Sequence, residues 1–345
     1  MAVQIGIGLF TFQVPPGSSR TFPQEYREVL DLVRLAETLG FDSAWVSEHH
    51  GAGDGYLASL LPTLAAFAAA TEHIKLGTGV MLTPFHHPLR LAEDAAAVDL
   101  ISGGRLILGL GLGWREEEFR MFGVPVGERL RRTIETVEIL RRAWTGGRFS
   151  YEGKIFSFDR VQVTPPPARP GGPPIYLGGM ADAAITRAGR LADGYIRTRG
   201  GDLERMQRDL QLAEEAARQA GRDASMLAFA QLQNAFVLEG GDPWEVVREG
   251  AAHQMGVYGG WAAGSDTPGQ GFFLAPPEEE NLRRITPTGT PHDVVRALRP
   301  FVEAFGGRRD FHLIVRLHYP GMDFATASRA IELFAERVIP ALKGS

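Results

Sequence analysis

Three titratable residues in a row close an apolar segment near the N-terminus. The stretch FDSAWVSEHH, residues 41–50, begins as a buried strand and ends on Glu48, His49 and His50. An imidazole can exchange a proton near neutral pH, so such residues can do acid–base chemistry. In a parallel barrel they would leave their strand at the edge where ligands bind. A polar surface loop is the alternative interpretation.

A second histidine pair, His86 and His87, follows another strand-like segment in the sequence FHHPL. Two such pairs at two strand ends make a metal site conceivable. Adjacent histidines at a strand end point in different directions, however, and no matching cluster of carboxylates and histidines stands out. We therefore predict no metal site.

Two glycines lie inside the strand-like segment KLGTGVML, at Gly77 and Gly79. Glycine weakens a strand unless the backbone must come close to something. One hypothesis is that a flat ligand lies against the backbone from Gly79 through Val80 to Met81. The other is that the glycines serve packing inside a barrel.

Two further glycine-rich strand ends favour the same kind of site. The segment LILGLGLGW carries Gly111, but its spacing is not the G-x-G-x-x-G dinucleotide fingerprint. It is better evidence for a strand end kept clear for something planar. In PPIYLGGMAD, Gly178 and Gly179 precede a predicted helix, whose first N–H groups could bind a phosphate. Asp182 argues against this because it adds negative charge, and a plain turn is the alternative.

These residues must be positioned by alternating strands and helices. Eight strand-like segments alternate with about eight helical patterns, which predicts an α/β TIM (β/α)8 barrel over residues 1–345 as a single domain. An open doubly wound sheet is the competing architecture. The predicted strands cover residues 3–10, 43–47, 74–80, 105–111, 174–178, 194–197, 226–238 and 311–317.

Two insertions break this rhythm. Residues 146–173 predict a β-hairpin around Gly153 and a proline-rich connector. Residues 256–289 are rich in glycine, proline and acids, and are too long for a simple connection. Their aromatic residues suit a lid over an apolar ligand, with Tyr258, Trp261 and Phe272 as its contacts.

Composition excludes several classes of protein. The 345 residues contain no cysteine, so disulfides, thiolate metal sites and cysteine nucleophiles are excluded. A net charge of −5 gives no basic surface for nucleic acid. The N-terminal segment has no basic region typical of a signal peptide, and no apolar run is long enough to span a membrane. We expect a cytoplasmic protein without a membrane or nucleic-acid partner.

Taken together, WVSEHH, the glycine-containing segments from residue 76 to 114, EEEFRMFGVP and PPIYLGGMADAAITRAGRLADGYI resemble the luciferase-like flavin-dependent oxidoreductases. The resemblance covers most of residues 3–200 in the right order. It implies a TIM barrel that binds reduced FMN at its carboxyl-terminal mouth. The flavin ring would lie against a bulge with a cis peptide at Gly79–Val80, and its phosphate near Gly178, Gly179 and Met180.

The resemblance also implies roles for the triplet. The first histidine is catalytic in bacterial luciferase, so His49 is the candidate here, with Glu48 to orient it or to bind the ring edge. Glu-His-His favours FMN over a deazaflavin, coenzyme F420, whose enzymes more often have Asp-His followed by an aromatic residue. His50 and Phe10 are candidates for the substrate or lid surface.

The sequence departs from the luciferase pattern after the fourth strand. Leu112 replaces the arginine that contacts the phosphate there, and Gly111 replaces a flavin-site cysteine. The phosphate would then need another partner, with Arg197, Arg199 and Arg316 as candidates.

The leading functional hypothesis is a two-component monooxygenase. A separate NAD(P)H:flavin reductase would supply reduced FMN, O2 would add, and the (hydro)peroxyflavin would oxidise a small, hydrophobic organic substrate. The first alternative is a coenzyme F420-dependent oxidoreductase that transfers a hydride without oxygen, and the second is a non-catalytic flavin-binding barrel. Members of the family commonly dimerise, so we expect a homodimer.

Overall fold

A computed structural model describes residues 3–197, 202–263 and 278–344. Strands and helices alternate along the chain as predicted. The strands are β1 Gln4–Phe10, β2 Ser43–Val46, β3 Lys75–Thr78, β4 Met81–Leu82, β5 Leu106–Gly111, β6 Phe149–Glu152, β7 Ser157–Val161, β8 Ile175–Gly178, β9 Gly194–Arg197, β10 Ala228–Asn234, β11 Phe236–Val237, β12 Thr288–Gly289 and β13 Phe311–Arg316.

The helices form the outer layer. They are α1 Phe22–Thr38, α2 Leu60–Ala70, α3 Pro88–Ser102, α4 Glu116–Met121, α5 Arg129–Ala143, α6 Asp182–Leu191, α7 Leu203–Gln219, α8 Pro243–Ala262, α9 Glu279–Ile285, α10 Pro291–Phe305, α11 Phe324–Leu333 and α12 Ile339–Lys343, the last two joined by a π-helical turn, Phe334–Val338.

The main sheet closes into a barrel. Its strands pair in the order β3, β2, β1, β13, β10, β9, β8, β5 and β4, and β3 also pairs with β5. All of these pairings are parallel. Since the sheet has no free edge, the predicted TIM barrel is confirmed and the open doubly wound alternative is wrong.

The third barrel strand is interrupted at the predicted position. The peptide bond between Gly79 and Val80 is cis, and the strand resumes as β4 two residues later. On one side of the break Gly77 pairs with Ile107, and on the other Met81 pairs with Leu110. The predicted bulge is therefore present, and it turns Val80 into the barrel, where this residue packs against the interior cluster.

The barrel interior explains one of the glycines. A Cβ on Gly77 would lie 2.1 Å from Cε3 of Trp45, whose buried indole fills the barrel at this level. Gly77 therefore serves packing, which was the alternative interpretation. Separate from this interior, a larger core lies between the strands and the surrounding helices.

The two insertions differ in how well the sequence predicted them. The hairpin is confirmed, since β6 and β7 pair antiparallel across Gly153. The first part of the second insertion is helical, because α8 continues as far as Ala262. Tyr258 and Trp261 thus lie on a helix rather than in a loop, whereas Phe272 lies outside the described residues. The sequence did not predict this part of the helix because the segment contains glycine at four positions from 250 to 260. Tertiary packing outweighs the low helix propensity of these glycines.

No helix in the described ranges combines the length and the apolar character needed to cross a bilayer.

Candidate active site at the carboxyl end of the barrel

The triplet lies where β2 leaves the barrel, and all three side chains are buried. Glu48, His49 and His50 are exposed by only 2%, 5% and 8%. The backbone of His49 is fixed by a hydrogen bond from its N–H to the carbonyl of Leu57, at 3.1 Å. A buried carboxylate and two buried imidazoles need partners, and the structure supplies them. The surface-loop alternative is wrong.

Glu118 is the partner of His49. Its Oε1 lies 2.9 Å from Nδ1 of the imidazole and accepts a second hydrogen bond, also 2.9 Å, from the backbone N–H of His50. Glu118 comes from α4, the short helix after β5, and is fully buried. The sequence prediction missed this residue. Its only signal was the acidic run EEEF, in which the inward-facing residue cannot be identified before the helix is placed.

Glu48 was expected to orient His49 or to bind the ring edge, but no hydrogen bond joins it to His49. It binds His50 and His86 instead. Its Oε1 lies 2.6 Å from Nε2 of His50 and 3.1 Å from Nε2 of His86, and its Oε2 accepts the N–H of Leu82 at 2.9 Å. Burial alone would raise the pKa of Glu48, but the hydrogen bonds from His50 and His86 lower it to about 2. Glu48 is therefore an anion that fixes β2 to the chain after the cis peptide.

Four aromatic side chains enclose His49. Its ring centroid lies 4.9 Å from that of Tyr56, 5.3 Å from Tyr258, 4.7 Å from Trp261 and 6.2 Å from Trp114. The Tyr56 and Tyr258 hydroxyls are 2.9 Å apart, which ties the end of α8 to the loop after β2. Two of the three predicted lid residues, Tyr258 and Trp261, therefore lie directly over the predicted catalytic histidine.

Arg115 supports this enclosure from the other side. It is 4% exposed, its Nη1 donates to the carbonyl oxygen of His50 at 2.7 Å, and its guanidinium lies 4.3 Å from the ring centroid of Trp261. A guanidinium over an indole face is a favourable cation–π contact. Arg115 thus connects the triplet to the C-terminal end of α8, and sequence reasoning had assigned it no role.

The glycines at the neighbouring strand ends surround Val80. A Cβ on Gly111 would lie 2.5 Å from Cγ2 of Val80, and one on Gly178 would lie 2.9 Å from its Cγ1. A Cβ on Gly79 would lie 2.7 Å from Cδ2 of Leu9. Glycine at positions 111 and 178 therefore leaves room for Val80, which is half-buried and forms a low apolar floor at these strand ends. This floor fits the face of a planar ring.

The residues predicted to hold a phosphate lie at the start of α6. Gly178, Gly179 and Met180 are half-buried and lead into this helix, whose N-cap residue, Ala181, has no side chain able to cap the first N–H groups. Asp182, whose negative charge argues against an anion here, is paired by both oxygens with Arg208 at 2.5 Å. Its charge is thereby compensated. The local geometry fits an anionic group at this helix end.

The three arginines proposed as phosphate partners have different environments. Arg197 is 3% exposed and is paired with Asp209, its Nε lying 3.2 Å from Oδ2. Arg199 lies outside the described residues. Arg316 lies at the end of β13 and is also buried.

Phe10, a predicted substrate contact, is a core residue. It is 1% exposed and packs against Phe67 of α2 and against His318, with ring centroids 6.4 Å and 6.0 Å away. Within residues 3–197, 202–263 and 278–344, no group of three or more histidine and acidic side chains has an arrangement that could hold a metal ion.

Comparison with known proteins gives the family and agrees with the barrel fold. Residues 4–308 match the family model of the luciferase-like monooxygenases. The chain is 31% identical to the F420-dependent glucose-6-phosphate dehydrogenase of Nakamurella multipartita, with 92% of each protein covered. It is 28% identical to the 4-hydroxyprotoasukamycin monooxygenase of Streptomyces nodosus subsp. asukaensis, with 92% of this chain and 86% of that protein covered.

A solved structure is similar over nearly the whole chain. The crystal structure of the monooxygenase RslO1 from Streptomyces bottropensis is 28% identical in sequence and superposes with a TM-score of 0.81. The match covers 98% of this chain and 99% of that one. The relatives thus include both monooxygenases and F420-dependent dehydrogenases.

Proposed function

The chain belongs to the luciferase-like monooxygenase family, and from this premise we propose that it uses reduced FMN and O2 to oxidise a small organic substrate. That it is an oxidoreductase follows from the family, which contains both flavin monooxygenases and F420-dependent dehydrogenases. The choice of FMN and oxygen rests on one observation above the others, the aromatic enclosure of His49.

The enclosure favours oxygen chemistry because it excludes water. Reduced FMN, when bound, would supply the two electrons that activate O2, and water that enters such a site diverts those electrons to hydrogen peroxide. Hydride transfer to a deazaflavin carries no such requirement. Tyr56, Tyr258 and Trp261 keep the imidazole of His49 almost fully buried. Exclusion of water by these side chains therefore benefits a monooxygenase, whereas a deazaflavin-dependent dehydrogenase does not need it.

The residues that would hold the cofactor are those of the glycine-rich strand ends. The ring would lie on Val80, beside the backbone of Gly79 and Met81 and next to Gly111. The phosphate would lie near Gly178, Gly179 and Met180, within reach of the N–H groups that begin α6.

His49 is the residue best suited to move a proton. Because a carboxylate only accepts hydrogen bonds, Glu118 requires Nδ1 of His49 to carry the hydrogen. Among the described residues nothing is hydrogen-bonded to Nε2, so in the neutral imidazole this nitrogen is free to accept a proton from a substrate. Glu118 would then stabilise the imidazolium that results. Glu48 has a structural role, because its charge is used by His50 and His86.

Hydride transfer with coenzyme F420 is the second candidate. It is favoured by the 31% identity to an F420-dependent dehydrogenase over 92% of the chain. Both cofactors offer a flat tricyclic ring to the same floor, so the site residues named above serve either. The two candidate reactions differ in that only the FMN-dependent one needs oxygen.

Cofactor binding and oxygen consumption separate the two candidates. The purified protein would be titrated with reduced FMN and with reduced F420, and then supplied with O2 and a panel of ketones, aldehydes and hydroxylated aromatic compounds. We expect tighter binding of reduced FMN and an oxygenated product by mass spectrometry from at least one substrate. Binding of F420 alone, with reduction or oxidation of substrate under nitrogen, would replace the monooxygenase by the dehydrogenase.

A further inference from the structure

Arg316 is a buried charge whose partner is missing among the described residues. It ends β13, the last barrel strand, and only 4% of it is exposed. Neither Nε nor Nη1 of its guanidinium has a hydrogen-bond partner within residues 3–197, 202–263 and 278–344. The backbone carbonyl of Arg316, in contrast, has a partner, since it accepts a hydrogen bond from the N–H of Ala235 at 3.1 Å. Buried guanidinium groups are normally paired, so this one needs an explanation.

The side chain faces the mouth of the barrel. Ile314, two residues earlier on the same strand, belongs to the cluster that fills the barrel interior. Alternate residues of a strand point to the same side, and Arg316 is the last of this series at the carboxyl end. It therefore lies above the filled interior, at the level where ligands bind.

The neighbours of Arg316 lie in the enclosure of His49. Burial raises the pKa of both Tyr56 and Tyr258, and the positive charge of Arg316 opposes that rise in each. Burial also lowers the pKa of His318 to about 4, with Arg20 and Arg316 contributing. His318 is consequently neutral at pH 7. Tyr56, Tyr258 and His318 are thus neutral at pH 7, and they do not compensate the charge of Arg316.

Three carboxylates on this side of the mouth bind groups other than Arg316, while Oε1 of Glu25 and Oε2 of Glu118 have no hydrogen-bond partner among the described residues. Glu25 is paired with Arg20 at 2.8 Å. Asp54 accepts hydrogen bonds of 2.6 Å from Gln13 and 2.8 Å from His253. Glu118, described above, is bound by His49 and by the backbone of His50. None of these three has an ion pair with Arg316.

We propose that Arg316 binds an anionic oxygen group, a carboxylate or a phosphate, of a ligand in the mouth of the barrel. A guanidinium with two free donors in a fork suits such a group, which can accept both hydrogen bonds at once. The inference rests on the proposed function and deepens it, because it gives the chemical class of one ligand group at the same site.

The position favours the substrate as the source of the anion. β13 pairs with β1, which pairs with β2, the strand that carries His49. In the other direction β10 and β9 separate β13 from β8 and its glycines. A group bound by Arg316 is therefore on the side of His49, apart from the start of α6. Together with the aromatic enclosure, this describes a substrate with an apolar body and one acidic end.

The test compares anions with neutral analogues in three proteins: wild type, Arg316→Gln and Arg316→Lys. The anionic probes are acetate, benzoate, inorganic phosphate and FMN. Benzamide is the neutral analogue of benzoate, and riboflavin is the analogue of FMN that lacks the phosphate. Binding would be followed by tryptophan fluorescence and by the shift in unfolding temperature. Arg337→Gln, at a site with a 61% exposed side chain, is the matched control.

We expect at least one anion of the series to bind wild type about tenfold or more tightly than Arg316→Gln, the size of a charge-assisted hydrogen bond. Arg316→Lys should be intermediate, because lysine cannot form the fork. A loss for benzoate but not for benzamide assigns the anion to the substrate. A loss for FMN but not for riboflavin assigns it to the cofactor.

Equal binding of every anion by wild type and Arg316→Gln overturns the proposal. Riboflavin titration of the same variant distinguishes this outcome from a failure of the proposed function. Binding of the flavin ring does not depend on Arg316, so riboflavin should still bind when only the proposal for Arg316 is wrong. If Arg316→Gln is unfolded by circular dichroism, Arg316→Lys carries the comparison, with weaker binding of the same anion as the expected result.

Discussion

Oε1 of Glu118 lies 2.9 Å from Nδ1 of His49, across 69 residues of sequence, and the same oxygen accepts the backbone N–H of His50. One buried carboxylate therefore fixes both the ring and the main chain of the triplet. Because the carboxylate is an acceptor, Nδ1 carries the hydrogen in the neutral imidazole and Nε2 is the basic nitrogen. The orientation of the proposed catalytic base is thus determined by a residue on another strand–helix connection.

Glu118→Gln should reduce turnover while leaving cofactor binding largely intact. The amide keeps an oxygen acceptor but loses the charge that stabilises a protonated His49. We expect kcat to fall by about ten- to a hundredfold, as for the outer carboxylates that orient metal-bound histidines. Turnover would be measured on the best substrate of the panel described above, and flavin affinity by titration. Glu116→Gln, on the exposed side of the same helix, should behave as wild type. Unchanged kcat in Glu118→Gln would mean that His49 needs no carboxylate.

Glu48 should make the protein sensitive to acid. Its pKa is about 2 in the folded state against an ordinary value of 4.5, so it stabilises the fold above pH 4.5 and this contribution is lost as the pH falls towards 2. Burial would lower the pKa of His86, but the hydrogen bond to Glu48 raises it. The stabilisation of the fold by protonated His86 is therefore present below pH 6.5 and is lost as the pH rises above that value. Glu48→Gln should cost about 3 kcal/mol of unfolding free energy near pH 6.

The measurement is urea unfolding at several values of pH between 2 and 7. We expect the difference between wild type and Glu48→Gln to shrink steadily as the pH falls from 5 to 2. Glu72→Gln is the control, because this side chain is 86% exposed. If the difference in unfolding free energy stays constant with pH, the stability lost in Glu48→Gln comes from altered packing or hydrogen bonding and not from the charge of Glu48.

Gly111 and Val80 should be energetically coupled. A methyl group on residue 111 would lie 2.5 Å from Cγ2 of Val80, so Gly111→Ala forces the valine or the strand to move. Overpacking of this kind costs about 1–3 kcal/mol. Val80→Ala removes the clashing methyl groups, so the double variant should recover most of the loss.

The coupling would be measured as a double-mutant cycle in unfolding free energy, and flavin titration would follow the same variants. Gly127→Ala serves as control, since a Cβ there meets nothing within 4 Å. If the losses of the two single variants simply add, Val80 is not the group for which Gly111 makes room.

The sequence predicted the barrel well because its evidence is local. Strand and helix patterns repeat along the chain, and the eight barrel strands lie within a few residues of their predicted bounds. The bulge at Gly79–Val80 was also predicted, from the family resemblance. The partner of His49 could not be, because three glutamates in a row are equivalent in the sequence, and only the start of α4 after β5 turns Glu118 inward.

The second insertion shows the opposite limit. Its aromatic residues predicted a cover for the ligand, and Tyr258 and Trp261 do lie against His49. Its glycines predicted a loop, yet α8 continues through residues 256–262. Local propensity opposes this last part of the helix, while contacts with residues some 200 positions away, such as the hydroxyl of Tyr56, stabilise it. Such contacts cannot be deduced from composition.

Trp261 should control the access of solvent and reagents to His49. Its indole lies 4.7 Å from the imidazole centroid and is held in place by Arg115. Trp261→Ala removes this cover, so diethyl pyrocarbonate should modify His49 severalfold faster, as followed by peptide mass spectrometry. Trp261→Phe, which keeps a ring, should be intermediate. His73, with its side chain 85% exposed, provides an internal reference whose rate should not change.

The same variants connect this cover to the proposed chemistry. If the enclosure protects an oxygen-dependent reaction from water, Trp261→Ala should release a larger share of the electrons of reduced FMN as hydrogen peroxide than wild type does. Val246→Ala, on the exposed surface near the start of the same helix, should leave both readouts unchanged. Faster modification of His49 without any increase in peroxide would show that Trp261 covers the histidine but that water exclusion there does not limit the reaction, and it would favour hydride transfer.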